Sequence, residues 1–141
     1  MHFLSKCFDI WKLFCTFAAI FKSYNYLWRS KNPNLKCFIP KKLTRFFGKQ
    51  TDKVRAKILY NIAKASYTND PKLFKKLENT DIWEFRTLFD NIQYRLLAFW
   101  DKRNGQNTLV IATHGFIKKS QKTPKGEIEH AQSIKDIYFN Q

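Results

Sequence analysis

A chain of 141 residues is long enough for one domain with a modest core and too short for two full ones. Its 44% hydrophobic and 17% aromatic content excludes a wholly disordered chain, and a formal charge of +15 makes a polyanionic or acidic partner the expected relief for self-repulsion. The three cysteines, Cys7, Cys15 and Cys37, are odd in number and lack CxxC spacing, while His2, His114 and His130 are scattered, so neither a disulfide framework nor a metal site is expected.

In chain order, the first feature is a change of composition near residue 50. Residues 1–50 hold ten Lys/Arg against a single acid, Asp9, with eight of the fourteen phenylalanines, whereas residues 51–141 carry sixteen bases and ten acids. The longest uncharged apolar run of the first part, Leu13–Phe21, has nine residues, far short of the roughly 20 that a membrane-spanning helix needs. Asp9 and the lack of an A-x-A-like site after Phe21 argue against a signal peptide, and the apolar residues hold no clean stripe for a membrane surface. Free thiols, a cytoplasmic location and no membrane partner are expected. Residues 1–33 are expected to form a basic, aromatic-rich extension of poor order, ahead of a folded domain over 34–141.

Asn34–Ile39 reads as a short strand, and Pro40 suits the first turn of a helix in which Leu43, Phe46 and Phe47 recur on one face. Thr51 or Asp52 caps a helix through about Ala65, with Val54, Ile58, Leu59, Ile62 and Ala65 as its apolar side. Asp70-Pro71 is expected to start another short helix to about Leu77, closing on Lys75 and Lys76, where the helix dipole favours cations. Ile82–Phe89 and Ile92–Trp100 are strands joined at Asp90-Asn91, and Lys102–Gly105 turns the chain into a third strand, Thr108–His114. Thr123-Pro124 begins a last helix, with Glu127 in its first turn and Ile128, Ala131, Ile134 and Tyr138 inward. This order predicts an α+β fold: a small antiparallel sheet with helices on one face.

Strand alternation puts Glu84 and Arg86 on one face, and a single register sets Arg86 and Arg95 together on an open face beside Lys118, Lys119 and Lys122. Each arginine alone would ordinarily be structural, Arg86 balanced by Glu84 and Arg95 in solvent. Beside a lysine turn that no acid interrupts, they form a candidate phosphate site, because guanidinium forks bind phosphate bidentately and a lysine of depressed pKa can move a proton. His114, at the end of the third strand, reads equally as a proton carrier and as a histidine bonded to backbone. Trp83, Trp100 and Tyr138 are expected in the core.

The segment His114-Gly115-Phe116-Ile117-Lys118-Lys119-Ser120-Gln121-Lys122-Thr123-Pro124, with Ile82-Trp83-Glu84-Phe85-Arg86 and Tyr94-Arg95-Leu96-Leu97 upstream, resembles the HigB-like branch of the RelE/ParE-type toxins of bacterial type II toxin–antitoxin systems. The likeness covers about residues 50–141. It implies a RelE-like fold and a metal-independent, cofactor-free endoribonuclease that cleaves mRNA on ribosomes, with a small helix-turn-helix antitoxin as partner. In that frame Arg86, Arg95, His114, Lys118 and Lys119 are the candidate catalytic residues, and Lys75, Lys76 and Lys122 bind RNA at the rim of the groove. RNA brings its own nucleophile, the 2′-hydroxyl, so no serine or cysteine is required. The same scaffold hosts gyrase poisons of the ParE kind that hydrolyse nothing, and an inactive remnant that binds nucleic acid is the third alternative.

Overall fold

The computed structural model describes residues 27–29, 36–38, 41–65, 68–105, 108–111 and 115–141; the expectations for residues 1–26 and for His114 lie outside them. Its elements are β1 (Leu27–Arg29), β2 (Lys36–Phe38), α1 (Lys41–Gly48), α2 (Asp52–Ala65), β3 (Phe74–Lys76), β4 (Trp83–Phe89), β5 (Ile92–Asp101), β6 (Thr108–Ile111), β7 (Phe116–Lys118) and α3 (Lys125–Phe139). The fold is α+β, as the order of elements predicts. The sheet runs β1-β2-β6-β5-β4-β3, and β7 pairs with β5 beyond the end of β6. Strands β3, β4, β5 and β6 are antiparallel neighbours, while β2 joins β6 in parallel and β1 lies outside it.

The long strand β5 divides the core, because successive side chains point to opposite faces. Tyr94, Leu96 and Ala98 face Leu43, Phe46 and Phe47 of α1 and Val54, Ile58 and Ile62 of α2. Leu97 and Phe99 face Ala131 of α3, together with Ile82 and Phe116. Helices therefore cover both faces, where one was expected. The cause is the run Tyr94–Phe99, buried at every position rather than at alternate ones, which requires cover on each side.

The stretch after Asp70-Pro71 is a turn and a strand rather than the expected short helix. The Lys72 N–H donates to the Asp70 carboxylate at 2.8 Å, and the Leu73 and Phe74 N–H groups close onto the Asp70 carbonyl. The chain then extends so that Phe74 packs on Trp83 and Phe85, with ring centroids 4.8 and 4.3 Å apart. A two-turn helix is marginal in water, and cross-strand aromatic pairs outweigh it here. Lys75 and Lys76 consequently lie on β3, where alternation separates them. Lys75 is opposite Glu84 and Lys76 opposite Trp83. Trp83 and Trp100 are only partly buried, and Trp100 packs against the core on the α1/α2 face.

Gly115 leads into β7 with φ +75°, a backbone conformation that disfavours any Cβ. A Cβ there would also sit 2.5 Å from the Phe46 ring and 2.8 Å from Leu96. Gly105, at φ +66°, has open space instead. Gly115→Ala is expected to lower the thermal midpoint by on the order of 10 °C, since overpacking adds about 1–3 kcal/mol to a left-handed cost of about 1–2. Gly105→Ala should show only the smaller, conformational part. Equal midpoints for the two variants in thermal unfolding would contradict the close packing of Phe46 on Gly115.

Candidate functional site

The β4–β5 turn consists of Asp90 and Asn91 with φ 51° and 58°, the pair of positive values that a two-residue hairpin requires. That turn locks the register in which Arg86 lies opposite Arg95 and Glu84 opposite Leu97. On the other edge of β5, Arg95 is opposite Phe116 and Gln93 opposite Lys118. With Lys75 opposite Glu84, four strands thus bring Lys75, Glu84, Arg86, Arg95 and Lys118 to one face, the face on which α3 packs.

At the centre is Glu84, 2% exposed. Its Oε1 lies 3.1 Å from Arg95 Nε and 3.4 Å from Arg86 Nε, and its Oε2 accepts a hydrogen bond from the Thr123 hydroxyl. Neither buried Nε–H is aligned for a hydrogen bond, as expected when two guanidinium groups share one oxygen. Arg95 is 4% exposed and held inward, its terminal nitrogens donating to the Tyr94 carbonyl at 3.0 Å and to the Gln93 side chain. Arg95 is thus buried where an open, solvent-facing position was expected. Arg86 differs, with a side chain 32% exposed and one contact at 3.4 Å to the Pro71 carbonyl.

Burial lowers the Arg95 pKa, and Glu84 opposes that shift more strongly than Arg86 adds to it. Lys118 is held below the ordinary lysine range, first by burial and then by repulsion from Arg95, Arg86 and Lys75, with Glu84 pulling the other way. Among the described residues, Glu84 is the one carboxylate acting on either group. Three cations against one carboxylate leave surplus positive charge beneath a partly open surface.

The other sequence candidates sit differently. Lys119 and Lys122 are exposed on the loop between β7 and α3. Lys76 pairs with Asp81 at 3.4 Å, away from Glu84. Gln93 was not singled out in the sequence, and Thr123 was read only as starting the last helix with Pro124.

Residues 45–136 match the family of phage-derived Gp49-like proteins (DUF891). The chain belongs to that family. Its members are RelE/HigB-like toxins of toxin–antitoxin systems, which implies a cognate antitoxin as partner. The match runs from α1 into the last turn of α3 and includes every residue of the Glu84 cluster in this Gp49-like chain. No curated protein and no solved structure matches the chain. Among the described residues, no helix is long and apolar enough to cross a membrane, and no group of His, Cys, Asp and Glu is placed to hold a metal ion.

A second polar cluster fixes the far end of α3. Tyr138 donates to Asp101 Oδ2 at 2.8 Å, and Arg103 grips the same carboxylate while lying over the Tyr138 and Phe139 rings at 5.2 and 4.8 Å. The Arg103 hydrogen bonds lower the Asp101 pKa from 3.8 to about 2. A depressed carboxylate stabilises the fold above its unfolded pKa and loses that contribution as pH falls through its folded one. Asp101→Asn is therefore expected to be less stable at neutral pH and to lose less stability between pH 3.8 and about 2 than the parent chain. Thermal midpoints taken across that interval test this, and parallel curves for the two chains would exclude it.

Proposed function

We propose that this toxin is a metal-independent endoribonuclease of the HigB-like kind that cleaves mRNA, in association with the ribosome. What carries the reading is the charge balance on the α3 face, where Arg86, Arg95 and Lys118 surround the single carboxylate of Glu84. A phosphodiester supplies the missing negative charge, and more of it accumulates as the reaction proceeds.

In such a cleavage the 2′-oxygen attacks phosphorus, the bond to the 5′-oxygen breaks, and a 2′,3′-cyclic phosphate and a 5′-hydroxyl result. One proton leaves the 2′-hydroxyl and one reaches the 5′-oxygen. Arg86, partly exposed, is assigned to the phosphate, and Arg95 acts beneath it through charge. Lys118, whose depressed pKa puts more of its neutral form within reach, is assigned to proton transfer. His114 remains the second proton carrier of this proposal. Lys75, Lys119 and Lys122 extend the positive surface along the RNA backbone, with Lys76 further out.

The experiment is to induce the chain with and without its neighbouring gene, mapping new RNA 5′ ends alongside plasmid supercoiling. New ends that disappear when the antitoxin is co-expressed are expected. Relaxed or linearised plasmid with intact RNA would replace this reading with a gyrase poison, and unimpaired growth would leave an inactive remnant. Arg86→Ala and Lys118→Ala are each expected to reduce cutting by about 10²-fold or more, the usual loss when a charge-stabilising donor is removed. Full cutting by both folded variants would remove the site assignment.

A further inference from the structure

We infer that Glu84 is the positioning residue of the cationic site: its buried carboxylate orients Arg86 and Arg95 and joins both, through Thr123, to the start of α3. The inference rests on the nuclease reading for what the site acts upon, and on geometry for how the site is held. Glu84 cannot itself meet substrate, being 2% exposed with Oε1 shared by two arginines and Oε2 taken by Thr123. Its reach is nonetheless wide. One side chain contacts β4 through Arg86, β5 through Arg95 and the loop before α3 through Thr123.

A carboxylate in this place has two separable effects. It pairs with two guanidinium groups that, among the described residues, pair with no other carboxylate, and it supplies the one attractive charge among the groups that face Lys118. Those groups are Lys75 from β3, Glu84 and Arg86 from β4, and Arg95 from β5. A carboxylate that only filled space in the core would be replaceable by its amide with no effect on the charge of Lys118. A positioning carboxylate would not.

The test compares the full chain with Glu84→Gln and Glu84→Asp. Two quantities are read: the pH dependence of cleavage of a short single-stranded RNA, and the titration of Lys118 followed by NMR of its side-chain carbon. In Glu84→Gln the Lys118 titration is expected to move to lower pH, because repulsion from three cations then acts unopposed. The limb of the rate profile that follows Lys118 should move with it, and kcat should fall by about tenfold or more as the arginines lose their alignment. Glu84→Asp, which keeps the charge but draws it back, should fall between the two in both readouts.

A folded Glu84→Gln chain with wild-type Lys118 titration and an unmoved rate profile would overturn the inference. If the amide variant does not fold, Glu84→Asp decides: parent-like titration and kcat in that folded chain would overturn it equally. If the parent chain cuts no RNA, the nuclease reading fails alone, and the Lys118 titration still settles the role of Glu84.

Discussion

One buried carboxylate governs the arrangement of this molecule. Taking Glu84 and Arg95 out of water costs several kcal/mol per ion, and a pair of matched apolar residues at these positions would stabilise the fold at least as well. The strand shows that alternative close by. Along the α3 face of β5, Phe99 and Leu97 are buried apolar residues under the helix, and two residues further the same face turns to Arg95 and then Gln93. The switch from hydrocarbon to charge comes while the strand is still buried, since Arg95 is 4% exposed and lies opposite the buried Phe116. It is the kind of local inconsistency that accompanies a site, where stability is exchanged for chemistry.

The constraint spreads because α3 is fastened at both ends by polar contacts. Thr123, just before the helix, bonds to Glu84; Tyr138, in its last turn, bonds to Asp101. Between them Ala131, with no side chain beyond Cβ, is fully buried against the sheet, so the helix approaches closely at its midpoint. Arg103 strengthens the distal anchor by covering two rings of the helix while paired with Asp101. The helix is therefore set in direction as well as in depth. Its proximal anchor is part of the cationic cluster, so the docking of α3 and the geometry of the arginines are one event.

Much of this was legible in the sequence. The hairpin at Asp90-Asn91 and the alternation of β4 place Glu84, Arg86 and Arg95 on one face, because period-two geometry and turn chemistry are local properties. Helices α1, α2 and α3 follow from apolar spacing and from Pro124, for the same reason. The depth of Arg95 was not legible. Burial depends on what packs around a side chain, and β7 and α3 arrive beside it from about twenty and thirty residues downstream. The strand at Phe74–Lys76 escaped for a similar cause: Asp70-Pro71 is as good an opening for a turn as for a helix, and the choice is made by Trp83 and Phe85 on the neighbouring strand. Glu84 was visible as a residue but its role was not, since a carboxylate beside an arginine reads first as a surface pair.

The position of β2 extends the same dependence to the start of the chain. The family match begins at residue 45, within α1, so β1 and β2 both precede it. In a sheet built from the matched span alone, β6 would be an edge strand carrying unpaired N–H and C=O groups. Lys36–Phe38 covers that edge in parallel, and Leu27–Arg29 in turn covers β2. An open edge next to the central strand would invite pairing with another chain. Since β5 receives β6 at Ala98–Asp101 and β7 at Gln93–Arg95 on the same side, whatever holds β6 in place also steadies the strand that carries Arg95 and the neighbour that carries Lys118. Residues far from the charged face in sequence, and outside the family match, are in this way part of what keeps its geometry.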